Sequence, residues 1–83
     1  MKISVELTLL PLQDGFEPVI IHFIQRLMIS GFRVMENPLS TQIYGDYNHL
    51  MLYLTGEIKT VFEEEENVVL IMKIVKSDRS NYE

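Results

Sequence analysis

Residues 2–10, KISVELTLL, alternate along the chain, with Ile3, Val5, Leu7 and Leu9 on one face and Ser4, Glu6, Thr8 and Leu10 on the other. A period of two predicts a strand with one strongly apolar face. Pro11 and the Asp14-Gly15 pair end it. The period then lengthens. In residues 18–30, PVIIHFIQRLMIS, the side chains of Ile20, Phe23, Ile24 and Leu27 recur at three and four, the core stripe of a helix. Pro18 suits the first turn, where a missing N–H costs nothing, and Gly31 suits the stop. Ile21, Met28 and Ile29 widen the apolar surface beyond one stripe, which calls for cover by another part of the molecule or by another subunit.

Two short strands follow. FRVME spans residues 32–36, Asn37-Pro38 signals a turn, and STQIYG at residues 40–45 is rich in β-branched and aromatic side chains. Asp46 is an N-cap candidate. Tyr47, Leu50, Met51, Leu54, Ile58, Val61 and Phe62 then trace an amphipathic helix of about four turns. Gly56 on its outer face predicts a weak point. The Glu63–Glu66 run opposes the helix dipole and predicts fraying or a loop. Residues 67–76, NVVLIMKIVK, form a last strand that is apolar on both faces. The polar tail beyond it is expected to be flexible over residues 79–83.

The order β-α-β-β-α-β, with right-handed crossovers, predicts one α+β domain over residues 1–83. Its expected architecture is a ferredoxin-like sandwich: a four-stranded antiparallel sheet with two helices on one face and the first and third strands central. The other sheet face is open in an isolated subunit and carries apolar residues of the last strand. Such a face predicts a homo-oligomer, a homodimer with sheets packed face to face. The helix surface around Ile21, Met28 and Ile29 could extend that to a homotetramer.

Composition narrows the function. The chain has 83 residues, 47% of them hydrophobic and 23% charged, which is globular composition. A core of that size is marginal without a staple, and absent cysteine excludes disulfides and thiolate metal sites. Self-association is the remaining source of extra burial. Seven basic against 12 acidic residues give a net charge of −5, which disfavours nucleic acid as a partner. Without the four-glutamate run the balance would be nearly neutral. No apolar run approaches the roughly 20 residues of a membrane span, and no unbroken apolar stretch resembles a signal peptide. A cytoplasmic protein without membrane association is expected.

Catalytic signals are thin. His22 and His49 lack H-x-x-x-H or H-E-x-x-H spacing, so no zinc site is expected. No serine is nominated as a nucleophile, no phosphate-cradling glycine run occurs, and the methionines have the spacing of core filler. The chain is therefore expected not to be an enzyme and to need no cofactor. What remains is the polar set that the first and third strands bring to the sheet centre: Glu6 and Thr8, with Ser40, Thr41, Gln42 and Tyr44. Once buried, these groups need partners. They either satisfy one another across an interface or bind a small polar ligand. A flat aminopyrimidine, with donors and acceptors on its edge, matches carboxylate, amide and hydroxyl groups. Alternation alone does not decide which of Thr41 and Gln42 points to the open face.

The segment Asn37-Pro38-Leu39-Ser40-Thr41-Gln42-Ile43-Tyr44-Gly45-Asp46 resembles the signature of the small thiamine-binding protein family, the YkoF-like group that binds thiamine or hydroxymethylpyrimidine. Leu9-Leu10-Pro11-Leu12 is similar to the end of that family's first strand, Leu27 to Phe32 with Ser30-Gly31 to its first helix end, and Lys73-Ile74 with Asp78-Arg79 to its closing segment. The likeness covers nearly the whole chain in short pieces. Leu39 departs from the usual methionine, Gln13-Asp14 from a small-residue turn, and Asn67 from an arginine, while Asp78-Arg79 lies about two residues late. The resemblance implies a homo-oligomeric, non-catalytic binding protein for thiamine or its hydroxymethylpyrimidine moiety, acting in uptake or salvage, with Ser40 and Thr41 as the signature's ligand-binding pair. Two other classes stay open: a structural oligomerisation module, and a ferredoxin-like regulatory domain that senses an amino acid at a subunit interface.

Overall fold

The computed structural model describes residues 1–81; Tyr82 and Glu83, the end of the expected flexible tail, lie outside them. The elements in order are β1 (Lys2–Pro11), α1 (Phe16–Met28), β2 (Arg33–Asn37), β3 (Ser40–Asp46), α2 (Tyr47–Glu64) and β4 (Val68–Val75). The four strands form one sheet in the order β2-β3-β1-β4, all pairs antiparallel. This is the ferredoxin-like α+β arrangement, with β1 and β3 central as the element order implied.

The core follows from the two periods. Ile3, Val5, Leu7 and Leu9 of β1, with Ile43 of β3, pack under Val19, Phe23 and Leu27 of α1 and Leu50, Leu54 and Val61 of α2. The helices are tied to each other by an Arg26 Nε to Glu57 Oε2 ion pair at 2.7 Å and by the Tyr53 hydroxyl, which donates to the Arg26 carbonyl. Burial pushes the Tyr53 phenol above its ordinary value, and the neighbouring Glu57 carboxylate adds to the shift.

Several local expectations are corrected. α1 begins at Phe16, two residues before Pro18, and ends at Met28. Gly31, at φ 90°, sits in the following turn and not at the helix stop. Val19 takes a core position, while Ile20 and Ile24 are half-buried. Gly56 does not break α2, because Leu54 and Ile58 on either side hold the helix to the core. The apolar positions Tyr47 and Phe62 at its two ends lie outside the core, 43% and 51% exposed. Asp46 occupies the N-cap position without a side-chain cap bond. Its carboxylate instead accepts from the Met1 amino group at 3.2 Å and faces His49 Nδ1 at 3.3 Å, contacts that hold its carboxyl below the ordinary range. α2 includes Glu63 and Glu64, and the chain leaves the helix at Glu65, so the acidic run half opposes and half ends it.

The sheet's open face is read from the register. β1 supplies Ser4, Glu6, Thr8 and Leu10; opposite them on β4 stand Val75, Lys73, Ile71 and Val69. Tyr44 and Gln42 of β3 flank Ser4 and Glu6, and Arg33 and Met35 of β2 lie beyond them. Residues 77–81 return across one end of this face. Ser4 Oγ donates to the Ser77 carbonyl at 2.7 Å and accepts from the Arg79 N–H at 2.8 Å. Ser80 is buried there, so this part of the tail lies against the sheet.

Candidate functional site

The six polar residues singled out from sequence do not gather at one place. Glu6, Gln42 and Tyr44 share the open face, placed there by the β1–β3 register that pairs Glu6 with Gln42 and Ser4 with Tyr44. Thr41 does not join them. It pairs with Leu7, so its side chain belongs to the helix side of the sheet, where it is 4% exposed. A strand places adjacent residues on opposite faces, and the pairing of Glu6 with Gln42 decides which one faces out. Thr8 stands opposite Ile71 on the open face, away from the centre.

On the open face the polar groups close into a network. Ser40 Oγ donates to Glu6 Oε2 at 3.0 Å and accepts from Gln42 Nε2 at 2.9 Å. Lys73 Nζ approaches the other Glu6 oxygen at 3.5 Å. Each carboxylate oxygen thus has a partner, and the Gln42 amide donor is used. Lys73 was not among the sequence candidates. Its cross-strand pairing with Glu6 is a long-range register that no local pattern reveals. Beside this network lies a depression of about 160 Å³ whose walls include Lys73, Tyr44 and Arg79.

On the helix side, α1 and the β2–β3 hairpin enclose a cleft of about 330 Å³. Ile20, Phe23 and Ile24 form one wall, Leu39 and Glu36 the other, and Thr41 contributes from the sheet. The hairpin tip is shaped by Asn37, whose Oδ1 accepts from the backbone N–H groups of Leu39 and Ser40 at 2.8 and 3.0 Å. That Asx turn is what the Asn-Pro signal encodes. Thr8 and Ser40 border the same cleft. Glu36 is its one charged lining residue. The Thr41 hydroxyl makes no hydrogen bond among the described residues, although the residue is nearly buried. An apolar cleft with a few convergent polar groups is the usual form of a small-molecule site, and an unpaired hydroxyl in it is a group with capacity for a ligand.

Among the described residues, no cluster of three or more His, Cys, Asp or Glu is placed to hold a metal ion, and no helix is long and apolar enough to cross a membrane.

No protein-family model and no curated protein matches the chain. Solved structures do. A Streptococcus pneumoniae protein is 27% identical, with a TM-score of 0.85 over 99% of this chain and 93% of its own. A Thermotoga maritima protein provisionally described as a thiamine biosynthesis/salvage protein is 18% identical, with a TM-score of 0.84 over 99% of this chain and 96% of its own. A domain of unknown function (DUF77) from Bacillus cereus is 17% identical, with a TM-score of 0.73 over 93% of this chain and 77% of its own. These likenesses establish the fold over almost the whole chain, and one similar structure carries a thiamine-related description.

Proposed function

We propose that this chain is a non-catalytic binding protein for thiamine or its hydroxymethylpyrimidine moiety, and that the pyrimidine enters the cleft between α1 and the β2–β3 hairpin. The observation that carries the location is Thr41: nearly buried, unpaired, and lining an apolar cleft of about 330 Å³. Its hydroxyl can donate to a ring nitrogen, the Glu36 carboxylate can accept from an exocyclic amino group, and Phe23 with Ile20 offers an apolar wall for the ring. Charge separates the two candidate surfaces. The cleft has only Glu36, which suits a thiazolium cation, whereas the open-face depression has Lys73 and Arg79 beside Glu6, which does not. The resemblance at Ser40 and Thr41 and the thiamine-related description of the Thermotoga maritima structure support the ligand class.

The open face has a second role in this proposal. Its polar centre is already satisfied by Ser40, Gln42 and Lys73, and one end is apolar, with Leu10, Val69 and Ile71 at 41, 41 and 54% exposure. A second copy of the chain packed on that end gives the homo-oligomer without demanding new polar partners. The rival assignment, an amino-acid sensor or a purely structural module, differs in what it binds. Titration calorimetry with thiamine, hydroxymethylpyrimidine and an amino-acid panel separates them. Heat with either of the first two and none with the panel is expected. Absence of binding by both ends the thiamine assignment.

A further inference from the structure

The two edges of the sheet are not alike. At one edge, β2 is short and carries Arg33, Glu36 and Asn37. Short length and charge are the usual protection of an edge strand against further pairing. At the other edge, β4 runs from Val68 to Val75 with Lys73 as its one polar residue and no proline. It is also uncovered on both sides. Val69 and Ile71 are exposed on the open face. Met72 and Ile74 pair with Leu7 and Val5 and so lie on the helix side, yet they are 36% and 44% exposed.

The unused backbone groups of that edge can be assigned. The Leu12 N–H donates to the Asn67 carbonyl at 2.7 Å, across the pair that continues the β1–β4 register. Antiparallel pairs alternate between bonded and unbonded, so the odd-numbered residues of β4 direct their N–H and C=O groups to β1. Those of Val68, Leu70, Met72 and Ile74 point outward, where none of the described residues pairs with them. Charge brackets this edge. The acidic run Glu63–Glu66 precedes the strand and Lys76 follows it. Glu66 and Lys76 are both exposed, and neither makes an ion pair among the described residues.

We infer that β4 pairs antiparallel with β4 of a second copy of this chain, about a two-fold axis at Ile71, joining two four-stranded sheets into one. Identical strands paired this way form an isologous contact. Its axis is normal to the sheet, and one residue faces its own copy. With Ile71 on the axis, Leu70 meets Met72 of the second copy and Val68 meets Ile74, all on the helix side. Each of these pairs exchanges two of the outward hydrogen bonds. Just past the strand ends, Glu66 falls opposite Lys76 of the second copy, once at each end of the ladder. Centring the axis on Met72 instead would set Glu66 against Asp78, so charge selects the Ile71 register. On the open face Lys73 lies across from Val69 and can lay its aliphatic stem over it. The apolar strip of Leu10, Val69 and Ile71 then continues into that of the second copy. This interface is separate from packing on the open face, and it does not rest on the thiamine assignment.

Amide exchange of the ¹⁵N-labelled chain reads the edge directly. Above the association concentration, the N–H groups of Leu70, Met72 and Ile74 should exchange as slowly as those of Val69 and Ile71, which β1 already holds, and dilution should speed up the first set only. A charge swap reads the register. Glu66→Lys and Lys76→Glu each turn two attractive pairs into two repulsive ones, and each should weaken association in analytical ultracentrifugation by at least about fivefold. The double variant Glu66→Lys/Lys76→Glu should restore it. Within one chain the two positions are roughly 33 Å apart along an extended strand, so the rescue acts between chains. Free exchange of the three outward N–H groups in an associated protein, which is what open-face packing alone would give, overturns the edge pairing. A chain that stays monomeric, single variants that associate like the parent, or a double variant no better than the singles would also overturn it. Circular dichroism of each variant checks that the fold is kept.

Discussion

Replacing Thr41 by valine should raise stability and lower ligand affinity together. The substitution keeps the shape and exchanges a hydroxyl for a methyl. Thr41 is 4% exposed, pairs with Leu7 and makes no hydrogen bond among the described residues. A buried hydroxyl without a partner costs about 1–3 kcal/mol in proteins. The cleft reaches this side chain, so solvent recovers part of that cost, and a gain of up to about 1 kcal/mol is expected for valine. In a domain of this size, 1 kcal/mol moves Tm by about 4–8 °C. In the complex the sign reverses. The hydroxyl then donates to the pyrimidine, and its loss leaves a ligand acceptor unpaired, about 1–3 kcal/mol or roughly ten- to hundredfold in Kd. Calorimetry with hydroxymethylpyrimidine and a thermal melt on the same two proteins give both numbers. A variant destabilised by more than 1 kcal/mol would show that the hydroxyl has a partner in the folded protein. Unchanged affinity would remove the ligand from the cleft.

Val69→Lys and Ile71→Lys both place a charge on the apolar end of the open face, because the register sets both residues there beside Leu10 and Thr8; each should yield monomers in analytical ultracentrifugation, and oligomers that persist in both would put the interface elsewhere. Gly45→Ala should destabilise by about 1–3 kcal/mol in urea denaturation through overpacking, since a Cβ there would lie 2.7 Å from the Phe32 ring; an unchanged midpoint would show that the ring can move aside. The Tyr53 phenol, raised by burial and by Glu57, keeps its proton more tightly in the folded state than in the unfolded one. The associated stability is present below the ordinary tyrosine range and is lost as pH rises through the folded value. Tyr53→Phe should therefore show a shallower loss of stability above about pH 10; a slope identical to the parent's would count against the Tyr53 linkage. Leu50→Ala and Leu54→Ala, at fully buried positions, should each cost about 2–5 kcal/mol by chemical denaturation.

Local periodicity carried the fold. The alternation of Ile3 to Leu9 and the three-four spacing of Phe23, Leu27, Leu50 and Leu54 depend only on neighbours in sequence, and each set lies in the core. Element order then limited the topology, because short antiparallel connections and right-handed crossovers leave few alternatives. Helix ends were less legible. Whether α1 starts at Phe16 or at Pro18, and whether Asp46 caps α2 or meets the Met1 amino group, turns on contacts from distant parts of the chain. The same holds more strongly for the site. Ser40, Thr41 and Gln42 are adjacent in sequence, yet the β1–β3 register sends Thr41 to the helix side and Gln42 to the open face. Slipping that register by one residue would exchange them. Lys73 and Arg79 meet Glu6 and Ser4 only because β4 pairs with β1 and residues 77–81 fold back. The residue types needed for binding were visible in the chain, but strand pairing decided how they are grouped, since a side chain's face is local and its partner across the sheet is not.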